Sequence, residues 1–192
     1  FSRDDFISSE AGVKYFIIGS LSTCIFLFGT SLVYGLVGST SFNEISIFMS
    51  DLYSTPTMLI VGLIFILVSL SLKISAAPFH MWTPDVYEGS PTSVTSFFAI
   101  VPKIAGIAVF IRFMYSPFQN ILDEWQYILV FISIASMILG AVAAINQKNI
   151  KRLIAYSSIS HMGYAIAGIS TGTESGFKST IIYILIYSAM NI

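Results

Sequence analysis

The feature that most constrains this chain is its succession of long apolar runs divided by short polar stretches. The runs lie at 13–38, 57–77, 92–115, 126–145, 153–170 and 178–192. About 20 apolar residues in a helix cross a hydrocarbon core of about 30 Å. Inside lipid the backbone N–H and C=O groups must be satisfied within the protein, so only helices and closed barrels span. Barrel strands alternate polar and apolar residues, and these runs do not. The sequence therefore predicts an all-α polytopic membrane protein, with about six transmembrane helices in one partial membrane domain over residues 1–192. Composition agrees: charged residues make up 10%, against about 25% in soluble domains. So few charges cannot cover a soluble globule, which excludes a soluble enzyme.

Other classes fall away as quickly. A formal net charge of −1 gives no basis for nucleic-acid binding. Cys24, inside an apolar run, is the only cysteine, so the chain holds no internal disulfide and no Cys-x-x-Cys pair. Neither G-x-G-x-x-G nor a P-loop is present, so no nucleotide is held by the usual means. The chain opens on Phe1 rather than Met and stops at Ile192 inside an unfinished apolar stretch; the expectation is a fragment, either a partial chain or a split-gene product.

Charge distribution sets an orientation. With alternating spans, Arg3, Lys14, Lys148, Lys151 and Arg152 fall on one side, and Arg112 and Lys178 on the other. The positive-inside rule places the richer side in the cytoplasm or matrix. Ser136, Gly140 and Ala144 recur at every fourth position, a spacing that permits close helix approach and reads as ordinary packing.

Two lysines sit where a membrane protein should have none. Lys103 is near the middle of the third run, and Lys73 is about sixteen residues into the second. A lysine at the bilayer centre costs at least ~2.5–3.5 kcal/mol on insertion scales, so it has to face a wet or paired interior. Snorkelling to the interface is the bland alternative, fitting a lysine near a helix end better than one at mid-helix. Both are candidate proton-transfer groups. The second run carries a further oddity. Residues 57–89 as one helix would extend about 50 Å, well past the hydrocarbon core. Pro78 and Pro84 each remove a backbone donor, so this stretch is expected to be a discontinuous transmembrane helix, interrupted between about Leu72 and Phe79 and extended to 89. Broken helices at membrane depth are typical of ion-coupled transporters. His80 in the break and His161 in the fifth run are candidate relays, with a hydrogen-bonded packing role as the competing reading. No other ligand stands at metal-binding spacing from them, so no metal site is expected.

The segment Lys73-Ile-Ser-Ala-Ala-Pro-Phe-His-Met-Trp-Thr-Pro-Asp-Val-Tyr-Glu-Gly-Ser-Pro-Thr92 resembles the signature of the antiporter-like membrane subunits of respiratory complex I. So do Glu10-Ala-Gly-Val-Lys-Tyr-Phe16, Pro102-Lys-Ile104 and Lys151-Arg-Leu-Ile-Ala-Tyr-Ser-Ser-Ile-Ser-His-Met-Gly-Tyr164. Their order is that of the NADH–quinone oxidoreductase subunit 2 group, called subunit N in bacteria. The resemblance covers essentially the whole chain and implies an antiporter-like helical bundle. The chain would match the family's helices 6 to 11, and the family's proton-path lysines fall on Lys73 and Lys103. The family's helix-5 glutamate and helix-12 lysine fall outside this sequence. The resemblance further implies a proton-translocating subunit that carries no cofactor itself, with FMN, iron–sulfur clusters and ubiquinone elsewhere in the complex. Implied partners are other membrane-arm subunits, lipids, and a second polypeptide completing this subunit. The location would be the mitochondrial inner membrane, multi-pass, with the bacterial plasma membrane as the alternative. A stand-alone cation/proton antiporter, the photosynthetic complex I-like enzyme, and a scaffold whose lysines only pair structurally are competing readings.

One internal similarity fits an inverted repeat. Glu10-Ala-Gly-Val-Lys14 followed by Ile17-Ile18 recurs as Glu174-Ser-Gly-Phe-Lys178 followed by Ile181-Ile182, at a constant offset of 164.

Overall fold

The computed structural model describes residues 5–51 and 55–191. Arg3, counted in the charge asymmetry, and Ile192, the end of the last apolar run, lie outside the described residues. Helices α1 (Phe6–Val37), α2 (Phe42–Ser50), α3 (Thr57–Ile74), α4 (Thr83–Gly89) and α5 (Thr92–Tyr115) are followed by a 3₁₀ turn at Gln119–Ile121. Then come α6 (Leu122–Ile145), α7 (Ile150–Ser170) and α8 (Glu174–Met190). No strand occurs among the described residues. The protein is an all-α, polytopic membrane bundle with a discontinuous helix.

Helix ends follow local chemistry. α1 starts at Phe6 rather than at 13 because the Asp5 carboxylate accepts from the Ile7 amide at 3.2 Å, capping a first turn that lies ahead of the apolar run. It stops where Gly38 adopts φ 75°, a left-handed conformation that glycine takes without a Cβ clash. The short α2, Phe-Asn-Glu-Ile-Ser-Ile-Phe-Met-Ser, has no counterpart among the apolar runs. It forms because Ile45 and Met49, four residues apart on one face, are buried in the core. Asn149 caps α7 and Thr173 caps α8, each accepting an amide hydrogen bond.

Four segments, α1, α3, α5 and Gln119–Ile145, are each long and apolar enough to cross a membrane on those grounds alone. α8 has 17 residues, and α7 carries Ser157, Ser158, Ser160, His161 and Gly163 at its middle. α7 lies among α4, α5, α6 and α8. Its polar groups therefore meet protein, and overall apolarity is not required of it.

Lipid offers no hydrophobic force to press helices together, so close backbone approach and hydrogen bonds decide the packing. α1 lies on α3 at Gly29, where an added Cβ would come within 2.8 Å of the Gly62 carbonyl oxygen. Beside that contact the hydroxyl of Ser22 donates to the Ser69 carbonyl at 3.1 Å, and that of Ser69 donates back to the Ser22 carbonyl at 2.7 Å. α6 and α7 meet through Gly140 and Gly163. The Ser133 hydroxyl donates to the Gly163 carbonyl at 2.9 Å. The apolar core, including Leu63, Ile66, Phe110, Trp125 and Ile166, fills the space between these pairs.

Candidate functional site

The site is built around the gap between α3 and α4. Ile74 is the last residue of α3, and Ser75 turns the chain with φ 61° and ψ 36°. Residues 75–82 are unwound, and three hydrogen bonds hold the stretch in place. The Ala76 amide donates to the Ser71 carbonyl at 2.9 Å, and the Trp82 indole donates to the Leu72 carbonyl at 3.1 Å. The Ala77 amide donates to the Ser136 hydroxyl of α6 at 2.8 Å. Ser136 thus does more than allow close packing: it substitutes for a lost helical acceptor. Ser136→Ala should lower the thermal midpoint of the full-length protein in detergent, because an orphaned buried amide costs about 1–3 kcal/mol; an unchanged midpoint would show that the break satisfies itself.

Pro78 lies in the unwound stretch, as a helix breaker should. Pro84 does not break a helix. It stands in the first turn of α4, where the missing N–H would have had no intrahelical partner anyway. The proline therefore starts the second half of the element. The hydroxyls of Ser71, Ser75 and Thr83 are buried around the break without a hydrogen bond among the described residues. His80 is buried in the same stretch, against the Pro78 backbone.

The two lysines have different surroundings. Lys73, in the last turn of α3, is exposed in this chain rather than enclosed, with Nζ 5.8 Å from the centroid of the Phe26 ring. The expectation of an interior Lys73 thus needs correcting for this chain. The reason lies opposite it: α1 presents Gly19, Ser22 and Thr23, whose small side chains leave a groove of about 620 Å³ between α1, α3 and α5. The C-terminal end of a helix suits a cation there. Lys103 borders the same groove but is 1% exposed. Its ammonium donates to the Ser158 hydroxyl of α7 at 2.5 Å and lies 5.6 Å from the centroid of the Tyr87 ring of α4. Among the described residues neither lysine is ion-paired with a carboxylate, and no hydrogen bond joins the two.

Beyond Lys103 a run of polar groups continues across α7 and α8. Ser158 donates to the Ala155 carbonyl at 2.7 Å. The Tyr87 hydroxyl is buried beside Ser158 without a well-formed hydrogen bond. Tyr187 also reaches Ser158, while its hydroxyl donates to the Ala99 carbonyl at 3.2 Å. His161 lies with its ring 5.1 Å from that of Tyr187, and its Nδ1 is 2.6 Å from the Tyr183 hydroxyl. The structure thus brings Lys103 and His161 to one polar run and places Lys73 and His80 at the break. Ser158, Tyr87, Tyr183 and Tyr187 are not among the residues singled out from the sequence. The available signal was helical spacing: Ser158 is three residues before His161, and Tyr183 four before Tyr187, so each pair shares a face.

A second cluster lies where α1, α4 and α7 meet. Lys14 Nζ is 2.7 Å from Glu10 and 2.6 Å from Asp85. Arg152 places Nη2 2.6 Å from Asp85 and Nε against Glu88. Asn149 donates to Glu88 at 2.8 Å, and Lys151 to the Ser90 carbonyl at 2.7 Å. At the start of α8, Glu174 and Lys178 form the same i,i+4 pair at 2.6 Å. The two copies of the repeated motif therefore make the same local contact. Among the described residues no three His, Cys, Asp or Glu side chains gather as a metal site.

Residues 1–192 match the family model for the transmembrane domain of NADH:quinone oxidoreductase and Mrp antiporters. The chain is 61% identical to NADH-quinone oxidoreductase subunit N of Pelagibacter ubique, over all of this chain and 40% of that protein. It is 53% identical to subunit N 1 of Rhizobium meliloti, again over 100% of this chain and 40% of the relative. The chain thus spans about two fifths of the length of these curated relatives. A chain of respiratory complex I from Thermus thermophilus, solved with bound aureothin, superposes with a TM-score of 0.75 at 35% identity, over 95% of this chain and 39% of the other. A chain of the Mrp complex from a Dietzia species superposes with a TM-score of 0.84 at 20% identity, over 97% and 35%, a likeness of fold.

Proposed function

Because the chain belongs to the family of NADH:quinone oxidoreductase and Mrp antiporter membrane subunits, we propose that it is part of an antiporter-like, proton-translocating subunit of a respiratory complex I. The observation that carries this reading is Lys103: an ammonium 1% exposed inside an apolar helix, gripped by a hydroxyl and an aromatic ring. So costly a placement is a functional signal. Oxidation of NADH and reduction of quinone take place in other subunits, which hold the FMN, iron–sulfur clusters and ubiquinone. This chain moves protons. Lys103 takes up and releases a proton toward Lys73 along the groove that both border on one side, and toward Ser158, Tyr187 and His161 on the other. His80 sits where it can pass protons within the break. Moving one charge against the membrane potential costs about 2.3 kcal/mol per 100 mV, so dividing the climb among several buried groups is physically sensible.

The relatives named above are bacterial, which supports the bacterial plasma membrane over the mitochondrial inner membrane. Partners are the other membrane-arm subunits, the surrounding lipids and any second polypeptide that completes the subunit. Affinity purification of the tagged full-length protein from its native membrane tests the assignment. We expect quinone-site and iron–sulfur subunits to co-purify, with NADH-driven quinone reduction coupled to proton uptake in vesicles. Recovery with antiporter subunits alone, together with cation/proton exchange that needs no NADH, would assign it to a stand-alone antiporter.

A further inference from the structure

Lys103 is held by two different elements, and one arginine of the second clasps both carboxylates of the first. The ring beneath the ammonium, Tyr87, belongs to α4; the hydroxyl that accepts from it, Ser158, belongs to α7. α4 has seven residues, too few to keep its place without tertiary support. Tyr87 lies between Asp85 and Glu88, the two carboxylates of α4, and both are bound by the single guanidinium of Arg152 on α7. Arg152 in turn stands six residues before Ser158, about 9 Å along the helix.

We infer that Arg152 is a positioning residue for Lys103: by pinning α4 to α7 it keeps the Tyr87 ring and the Ser158 hydroxyl closed around the ammonium. The planar fork of arginine suits the task, since Nη2 meets Asp85 while Nε meets Glu88. A lysine at this position would have to reach both carboxylates from a single nitrogen, without the separate Nη2 and Nε arms that fix the spacing of Asp85 and Glu88. The neighbouring contacts brace the same joint. Lys14 of α1 shares Asp85, Asn149 shares Glu88, and Lys151 holds the Ser90 carbonyl just past α4. An added Cβ at Gly89 would lie 2.6 Å from Ala11 Cβ, so α4 is also pressed against α1. For proton transfer the inference rests on the assignment of Lys103 to the path. As a statement about geometry it stands by itself.

Arg152→Gln and Arg152→Lys in the full-length subunit of the assembled enzyme test it, read by structure and by proton uptake per NADH oxidised. In Arg152→Gln the Lys103 amine should leave the Tyr87 ring, moving beyond the roughly 6 Å reach of a cation–π contact, and proton uptake should fall severalfold. Arg152→Lys should fall less. Adding Lys103→Met to Arg152→Gln should bring no further loss beyond Lys103→Met alone, because both changes act on one group. An unchanged cage around Lys103 in Arg152→Gln overturns the inference whatever the pumping does, and so does an additive loss in the double variant. Should Arg152→Gln prevent assembly, Glu88→Gln removes one arm of the clasp and is read in the same way. If the cage opens while neither Arg152→Gln nor Lys103→Met alters pumping, the positioning role stands and the proton-path reading of Lys103 falls.

Discussion

Replacing Lys103 with Met in the full-length subunit should leave the enzyme assembled and cut NADH-driven proton uptake at least about tenfold, a modest figure beside the roughly hundredfold or more that a positioned proton-transfer group contributes. Assembly should survive because the substitution removes a buried charge that no carboxylate of the described residues pairs with. Methionine is unbranched and adaptable, so it fills the same channel between Tyr87 and Ser158 without strain. The Ser158 hydroxyl loses a donor but keeps its own bond to the Ala155 carbonyl at 2.7 Å, so the change strands no further polar atom there. Pumping should not survive, since a thioether cannot carry a proton. The decisive quantity is the number of protons translocated per electron, measured beside quinone reduction in the same vesicles. An unchanged ratio in a fully assembled Lys103→Met enzyme would take Lys103 off the path.

What was legible in the sequence, and what was not, divides along physical lines. The interruption near Pro78 was legible because chain length and backbone donors are one-dimensional quantities: residues 57–89 are too long for one crossing, and a proline there removes a backbone donor. Pro84 looks identical in the sequence, yet it starts α4. Whether a proline stops or opens a helix depends on where the next helix begins, and here Ser136 of α6 helps decide that by holding the Ala77 amide. The lysines were legible as anomalies, but their environments were not. Lys103 is enclosed because Tyr87 and Ser158 come from elements distant in sequence. Lys73 lies along a groove because small residues of α1 happen to face it.

The tyrosines were missed for a different reason. In an apolar chain rich in aromatic residues, Tyr87, Tyr183 and Tyr187 resemble lipid-facing or interfacial bulk. Only the fold shows that Tyr87 is fully buried under an ammonium. The charged residues Lys14, Asp85, Glu88 and Arg152 were readable as a topological signal or as part of a signature. Their mutual pairing needed three helix ends to converge. The charge asymmetry that orients the chain is therefore largely neutralised at the point where it is densest.

A leucine at position 140 should prevent the subunit from folding stably, whereas a leucine at the adjacent position 141 should be tolerated. The two changes start from small residues one position apart on α6, and helix propensity by itself would favour Gly140→Leu, since glycine is about 1 kcal/mol worse than alanine in a helix. Their surroundings decide the other way. At Gly140 a Cβ would sit 2.7 Å from the Ser160 amide nitrogen and 2.8 Å from the Tyr156 carbonyl oxygen, both backbone atoms that no rotamer change can move. Ala141 faces outward. Overpacking a tight core costs about 1–3 kcal/mol for a few added carbons; Gly140→Leu adds four against backbone, so α6 and α7 would have to separate. Gly163 makes the reverse contact, its added Cβ falling 3.0 Å from the Met137 amide nitrogen, and that contact would be lost as well. Separation reaches the proton path directly, because α7 carries Ser158, His161 and Arg152, and α6 carries the Ser136 hydroxyl that steadies the break. Gly140→Leu should therefore show little assembled subunit in membranes, and Gly140→Ala a lowered thermal midpoint with weakened proton uptake. Ala141→Leu should match the unsubstituted protein in both. Normal yield and pumping in Gly140→Leu would mean that α6 and α7 do not need this contact to set the Lys103 site.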